Sequence, residues 1–262
     1  STMYDSSGDD TCYGAPGESR MEFSTGNSAK GIGFDEYYGF AFAGGADDRA
    51  YLEESAGDDT VIARHNHSYI VSSSYRNQVN AFDYIEFDAG TAAGTDYAYL
   101  FDTAGNDSFY GGSGMSRMVH GAGTENRALA FDRVFAYGYL GGDDTAYLSA
   151  GATGDHTLTS NPNDSRLMST TGLDVFVRDF DRIEADMTAS TGNDRALLYD
   201  SALVDTVTID GDEATYANGV DFETWVKAFD RVSVWATKGG PDKVVEINPA
   251  TFIFDKYGTE WE

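Results

Sequence analysis

The sequence predicts an all-β protein: a right-handed parallel β-helix (solenoid) of five repeats of about 49 residues, with about two coils to each repeat. Three observations predict it. First, three separate landmarks keep one period. The turn GDDT places Asp10, Asp59, Asp107, His156 and Asp205 at equivalent positions, 48 or 49 residues apart. The dipeptide FD starts at Phe34, Phe82, Phe131, Phe180 and Phe229, and the GGxD turn ends at Asp48, Asp96, Asp144, Asp194 and Asp242. Second, the segments between landmarks alternate apolar and polar residues with period two, which is a strand with one buried face. Third, Gly/Asp/Ser corners separate these segments, helical periodicity is absent, and the chain has only 4 prolines. A five-bladed propeller also fits the length. It is disfavoured because no Asn-Gly or Asp-Gly hairpin turn recurs in register.

The repeats are expected at 1–50, 51–98, 99–146, 147–196 and 197–244, with a partial sixth at 245–262, all in one β-helix domain. The third copy illustrates the pattern. Ala98-Tyr99-Leu100-Phe101 points Ala and Leu inward and the aromatics outward. A second strand has the inward column Cys12, Val61, Phe109, Leu158 and Val207. A third has Met21, Ile70, Met118, Leu167 and Tyr216 inward, with Arg20, Tyr69, Arg117, Arg166 and Thr215 outward. Phe131 and Val134 are three residues apart, so one flat strand cannot bury both, and a bend is expected at Asp132-Arg133. Arg133, Arg182 and Arg231 recur too regularly to be a catalytic feature and are expected to pair with acidic corners.

Composition limits the function. Lys and Arg total 17 against 44 Asp and Glu, for a formal charge of −27. A nucleic-acid partner is excluded, because counterion release requires a basic patch. There is no apolar run long enough to span a membrane. The single cysteine, Cys12, falls in an inward column and cannot form an internal disulfide. The chain opens inside a strand-like motif and closes inside another repeat. It therefore reads as a processed protein or a piece of a longer one, monomeric or part of that longer chain.

The runs MYDSSGDDT, LFDTAGNDS, AFDRVFAYGYLGGDDTAYL and AFDRVSVWATKGG resemble a repeat of very large exported proteins of planctomycetes and other marine bacteria. The resemblance covers nearly the whole chain. It implies an extracellular or cell-surface β-solenoid and supplies no catalytic residues. GGADD, GGDDT and TGNDR also resemble the Ca²⁺-binding nonapeptide repeats of secreted toxins, but here the Asp turns alternate at about 11 and 37 residues rather than nine. A Ca²⁺ roll is therefore not expected. Individual Ca²⁺ ions at paired corners such as Asp47/Asp48 and Asp58/Asp59 are the metal alternative to simple turn capping.

Function is sought where the copies disagree. The second copy reads Arg64-His65-Asn66-His67-Ser68-Tyr69 where others carry APGES, GGSGMS or NPNDS. His65 and His67 share a face if this segment is extended. His120 lies on the same stretch of the next copy, and stacked coils should bring it close. Arg20, Arg117 and Arg166 form a column with Tyr69, and Tyr13 and Tyr110 lie on the neighbouring strand. Such a face suits an acidic polysaccharide. Arg forks hold a carboxylate, His moves a proton near neutral pH, and Tyr stacks on sugar or transfers a proton. The expectation is an extracellular polysaccharide lyase, similar in architecture to the parallel β-helix lyases. His65, His67, His120 and Tyr69 would be catalytic, and Arg64, Arg117, Arg20, Arg166, Tyr110 and Tyr13 would bind substrate. No cofactor is required, and Ca²⁺ is the one metal the acidic corners would suit. The alternative is a non-catalytic carbohydrate-binding or adhesive repeat module of a giant surface protein. No GxSxG elbow or P-loop is present.

Overall fold

A computed structural model gives the fold and describes residues 1–91 and 93–262. The described residues are all-β, with strands stacked as a solenoid and no helix. They divide into two units, residues 1–107 with 114–136, and residues 108–113 with 137–262.

In the first unit, copy one supplies β1 (Thr2–Tyr4), β2 (Thr11–Ala15), β3 (Glu18–Glu22), β4 (Ser28–Ile32), β5 (Glu36–Phe40) and β6 (Arg49–Glu53). Copy two supplies β7 (Thr60–Ala63), β8 (His67–Val71), β9 (Arg76–Asn80), β10 (Tyr84–Asp88) and β11 (Tyr97–Phe101). Copy three supplies β13 (Met115–Val119), β14 (Glu125–Leu129) and β15 (Arg133–Tyr137) here, while its β12 (Ser108–Gly112) belongs to the second unit. One sheet of the first unit runs β1-β5-β9-β8-β7-β11-β15, and the other runs β13-β14-β10-β6-β2-β3-β4.

The second unit continues with β16 (Thr145–Ser149), β17 (His156–Ser160), β18 (Asp164–Ser169), β19 (Asp174–Arg178) and β20 (Arg182–Asp186). Then come β21 (Arg195–Tyr199), β22 (Thr206–Asp210), β23 (Glu213–Ala217), β24 (Glu223–Lys227), β25 (Arg231–Ala236), β26 (Lys243–Asn248) and β27 (Ile253–Gly258). Its sheets run β19-β18-β17-β21-β25-β27 and β26-β22-β23-β24-β20-β16-β12.

Parallel ladders carry the coil, as in β2–β6–β10 and β17–β21–β25. Each copy also contains an antiparallel three-strand meander, such as β2–β3–β4 or β17–β18–β19. The meander's hairpins escaped the sequence reading because their turn chemistry changes from copy to copy. Pro16-Gly17 closes one and Gly211-Asp212 another, with Gly17 and Gly211 at positive φ (76° and 66°).

The meander also corrects the coil count. The chain crosses between sheets three times per copy, at β4→β5, β5→β6 and β6→β7. One repeat is thus one and a half coils rather than two. An odd number of crossings puts the same repeat position on opposite sheets in successive copies. In the first unit β3 and β13 lie in one sheet and β8 in the other. The expected column of Arg20, Tyr69, Arg117 and Arg166 is therefore not one column.

The inward columns are as expected: Cys12, Val61, Phe109, Leu158 and Val207 are buried, as are Met21, Ile70, Met118, Leu167 and Tyr216. The bend before the FD strand lies slightly earlier than expected. Ala81, Ala130, Asp179 and Ala228 adopt positive φ (62°, 60°, 59° and 57°), and Gly33 takes this position in copy one at 75°. The left-handed residue reverses the chain before the next ladder begins. Arg182 and Arg231 pair with carboxylates on adjacent strands, Glu223 at 2.6 Å and Asp255 at 2.8 Å, rather than with the Asp corners.

The three sequence landmarks are physically one chain of hydrogen bonds. The backbone N–H of Asp10 donates to Asp48 (2.7 Å), and that of Asp48 donates to Asp83 (3.0 Å). In the next coil Asp59 donates to Asp96 and Asp96 to Asp132, both at 2.8 Å. In the second unit Asp205 donates to Asp242 (2.9 Å), and His156 to Asp194 (2.8 Å). Each carboxylate caps the corner of the neighbouring coil, so the GDDT, GGxD and FD aspartates must keep one period.

Candidate functional site

The divergent segment of copy two sits on the first unit's β1-β5-β9-β8-β7-β11-β15 sheet. β7 ends at Ala63, and Arg64-His65-Asn66 forms the hairpin into β8. The Arg64 N–H donates to Ser68 Oγ at 2.9 Å, closing the turn. His65 therefore lies in the turn and does not share a strand face with His67, as an extended segment would have required. It is exposed, and its Nδ1 is 2.9 Å from Thr124 Oγ1.

His120 is close to His65, as stacking suggested, with ring centroids 5.6 Å apart at 76°. Its environment differs from the expected open face. It is 2% exposed, with Nε2 3.1 Å from Asn126 Nδ2 and Nδ1 3.6 Å from Asp107 Oδ1. Burial lowers its pKa to about 4 despite the opposing Asp107 carboxylate, so the ring is neutral at pH 7. Enclosed in this way, His120 packs the corner and has no face to offer a polymer.

His67 and Tyr69 project outward from β8, with ring centroids 5.9 Å apart. On β9, which pairs with β8 antiparallel, Arg76 holds its guanidinium 4.1 Å from the Tyr69 ring centre. Arg64 holds its own 4.5 Å from the ring centre of Phe101 on β11. Burial lowers the His67 pKa, and the charges of Arg64 and Arg76 lower it further. Arg64, His67 and Tyr69 thus gather as expected, and they gather with Arg76, which the sequence reading missed. The signal was the alternation in Arg76-Asn77-Gln78-Val79, the third strand of a meander not recognised as one.

Neither Arg64 nor Arg76 has a carboxylate within ion-pair distance among the described residues. Their sheet explains it. Among the described residues, Glu36 is the only carboxylate that these seven strands turn outward, and it accepts the Tyr38 hydroxyl at 3.0 Å. Aromatics fill much of the rest: Tyr4 stacks on Phe40 (5.1 Å) and Tyr99 on Phe135 (4.9 Å).

The other expected binding residues lie elsewhere and are engaged. Arg20 lies over Tyr13 at 4.4 Å and pairs with Glu22 at 3.0 Å. Arg117 is 3.4 Å from Glu125. Both are on the other sheet of the first unit. In the second unit, Arg166 makes a two-pronged pair with Asp174, both contacts 2.7 Å. Tyr110 stacks on Tyr147 at 4.9 Å, and Tyr13 stacks on Tyr51 at 5.5 Å. Each stack covers one face of Tyr110 and of Tyr13, and the Arg20 guanidinium lies over the Tyr13 ring as well.

The acidic corners act as caps. Asp58 accepts the Thr95 N–H at 2.9 Å, and Asp47 pairs with Arg49 at 2.6 Å. Asp59 accepts the Ser55 N–H and hydroxyl at 3.1 and 2.9 Å, and Asp48 accepts the Asp10 N–H. Among the described residues, two groups of three carboxylates come close enough to share a cation, Asp5/Asp10/Asp48 and Glu54/Asp59/Asp96. Asp48 and Asp59 belong to them, whereas Asp47 and Asp58 do not.

Fold and site together define a β-solenoid repeat protein that carries an acid-poor, aromatic and cationic face on an otherwise acidic body. No family model, curated protein or solved structure was found to match the chain.

Proposed function

We propose that this chain is a non-catalytic carbohydrate-binding repeat module, and that it holds an acidic polysaccharide on the outer face of the β1-β5-β9-β8-β7-β11-β15 sheet. The single observation that carries the reading is the charge of this face. Its strands turn out Glu36 as their only carboxylate among the described residues, while Arg76 and His67 lie on the same sheet and Arg64 in its β7–β8 hairpin. In a chain with 44 acidic residues, a face whose strands turn out one carboxylate costs a polyanion little repulsion. Arg64 is laid over the Phe101 ring and Arg76 over the Tyr69 ring, and Arg76 Nη2 also donates to Gln78 Oε1 at 2.8 Å, so both guanidinium groups are held in place on this face. The test is calorimetric titration with uronate oligosaccharides and with neutral oligosaccharides of equal length. The expected result is salt-sensitive binding of the acidic series, weakened at least tenfold in Arg64→Gln/Arg76→Gln, as for the loss of two charge-assisted contacts. Equal affinity for the neutral series would refute the reading.

One observation favours turnover as a second reading. His67 is held as neutral imidazole beside Tyr69, between two arginine charges. In a β-elimination the arginines would neutralise the sugar carboxylate and His67 would remove the C5 proton. The C4–O bond then breaks as the C4–C5 double bond forms, and Tyr69 would protonate the leaving oxygen. Growth of the unsaturated-uronide absorbance with any acidic polymer, abolished in His67→Ala, separates this reading from simple binding. A flat trace across the panel leaves binding alone.

A further inference from the structure

We infer that the second unit carries a separate subsite for an acidic sugar, in the groove between the β17–β18 turn and the end of β21. The inference extends the proposed glycan-binding reading to a different set of residues. The groove has a volume of about 630 Å³ and is lined by Thr159, Asn161, Pro162, Asn163, Tyr199 and Lys238, with Asp200 beneath.

Its floor comes from an aromatic stack. Tyr199, Trp235 and Tyr257 lie on β21, β25 and β27 with successive centroids 4.7 and 4.8 Å apart and planes within 15°. Trp235 covers one face of Tyr199. The neighbouring strand on the other side is β17, whose ladder with β21 ends at Ser160 opposite Leu198. The chain next places Asn161, not a ring, beside Tyr199.

The repeat supplies an internal control. Tyr199 is equivalent to Phe101 and Asn161 to Arg64 in the first unit. There the Arg64 guanidinium lies 4.5 Å above the Phe101 ring. Asn161 is too short to do the same, and its amide is spent on its own turn. Its Oδ1 accepts from the Asn163 and Asp164 N–H groups at 3.1 and 3.2 Å, and its Nδ2 donates to Asp164 at 2.7 Å. The ring face that Arg64 fills in one copy is thus groove surface in the other.

The chemistry of the rim selects the ligand. A half-buried tyrosine face suits the apolar face of a pyranose ring. Lys238 is exposed, and no carboxylate lies within ion-pair distance of it among the described residues. Asp200 makes no ion pair with the Lys238 ammonium among the described residues. It is 1% exposed, and its oxygens accept the Thr237 and Lys238 N–H groups and the Thr237 hydroxyl. A ring-stacking platform beside one unpaired ammonium fits a uronate-type sugar, with the ring on Tyr199 and the carboxylate on Lys238.

The test uses the whole chain and calorimetric titration with a panel of oligogalacturonate, oligomannuronate, oligoguluronate and a glucuronate-containing oligomer. Wild type should show two classes of site on the oligomer that binds. Lys238→Glu should weaken one class at least tenfold, since it replaces a charge-assisted contact by repulsion. Tyr199→Leu should remove the same class, Tyr199→Phe should retain it, and Arg64→Gln/Arg76→Gln should leave it unchanged. Lys238 is exposed, so Lys238→Glu keeps the test valid if Tyr199→Leu disturbs the stack. Binding abolished by the arginine pair and indifferent to Lys238→Glu and Tyr199→Leu overturns the groove while leaving the first face standing. Binding indifferent to the arginine pair and lost in Lys238→Glu does the reverse. A panel that binds nowhere on wild type overturns both.

Discussion

Asp242 gives the most direct test of how the carboxylate chain is held. Its side chain is fully buried. Oδ1 accepts the Asp205 N–H at 2.9 Å, and Oδ2 has no hydrogen-bond partner among the described residues. Burial pushes its pKa from 3.8 up to about 6. The Asp205 N–H opposes this, and the charges of Asp205, Asp200 and Glu260 add to it. A carboxyl whose folded pKa is raised contributes stability that is complete below its unfolded pKa and is lost as pH rises through the folded value. A shift of about two units at about 1.4 kcal/mol each makes the cost at neutral pH at most about 3 kcal/mol. Asn keeps the Oδ1 acceptor and carries no charge. Asp242→Asn should therefore match wild type in urea unfolding near pH 4 and exceed it by up to about 3 kcal/mol near pH 7.5, with the gain opening across about pH 4 to 6. Taking the difference between the two proteins cancels the titration of the other carboxylates. A variant whose advantage does not grow with pH, or which is the less stable at pH 7.5, would refute the account.

Other outcomes follow from the same geometry. Ala130→Gly, at φ 60°, should raise stability by about 1 kcal/mol, because the left-handed region penalises a Cβ and copy one already uses Gly33 there; thermal unfolding reads it. Asp96→Ala should cost about 2–3 kcal/mol, because the buried Asp59 N–H loses its acceptor, and Asp96→Asn, which keeps an acceptor and sheds a charge that burial disfavours, should not be destabilised near neutral pH; urea unfolding reads both. Arg166→Ala should change stability by less than about 1 kcal/mol despite the two-pronged contact with Asp174, since the pair faces solvent. The lowered His67 pKa means that its ring gains charge only below its ordinary range. Binding of an acidic oligosaccharide should tighten as pH falls from about 7 to 5, and His67→Gln should flatten that response.

The solenoid was legible because side-chain alternation and corner spacing are local. The inward columns through Cys12 and Met21 line up in the sequence, and both are buried. The direction of pairing was not legible, because it depends on hairpins whose closing residues differ in each copy. Missing the meander had one large consequence. Five strands and three crossings per copy turn equivalent residues to opposite sheets, so a column drawn through Arg20, Tyr69 and Arg117 crosses from sheet to sheet. Arg20 and Arg117 then meet Glu22 and Glu125, and only Tyr69 shares the acid-poor face with Arg64 and His67. His120 was placed correctly beside His65, but its burial was not readable. It follows from the tight turn between β13 and β14, where the His120 N–H donates to Thr124 O and the Gly123 N–H to His120 O.

The fourth copy shows how function can enter such a scaffold without breaking it. Elsewhere the GDDT aspartate accepts from a Ser or Thr four residues earlier: Ser6 to Asp10, Ser55 to Asp59, Thr103 to Asp107 and Ser201 to Asp205. In copy four both partners change together. Ala152 replaces the hydroxyl residue and His156 the aspartate, and the His156 backbone still donates to Asp194 while its Nδ1 lies 2.8 Å from the same oxygen. The inter-coil bond is kept and the local cap is exchanged for a His–Asp contact. Two neighbouring departures from the repeat can thus be one structural exchange. A departure that leaves no partner behind is different. Arg64, Arg76 and Lys238 are cations without an internal acid in a chain that could have supplied one almost anywhere, and this is why the ligand reading rests on them rather than on the rarer histidines.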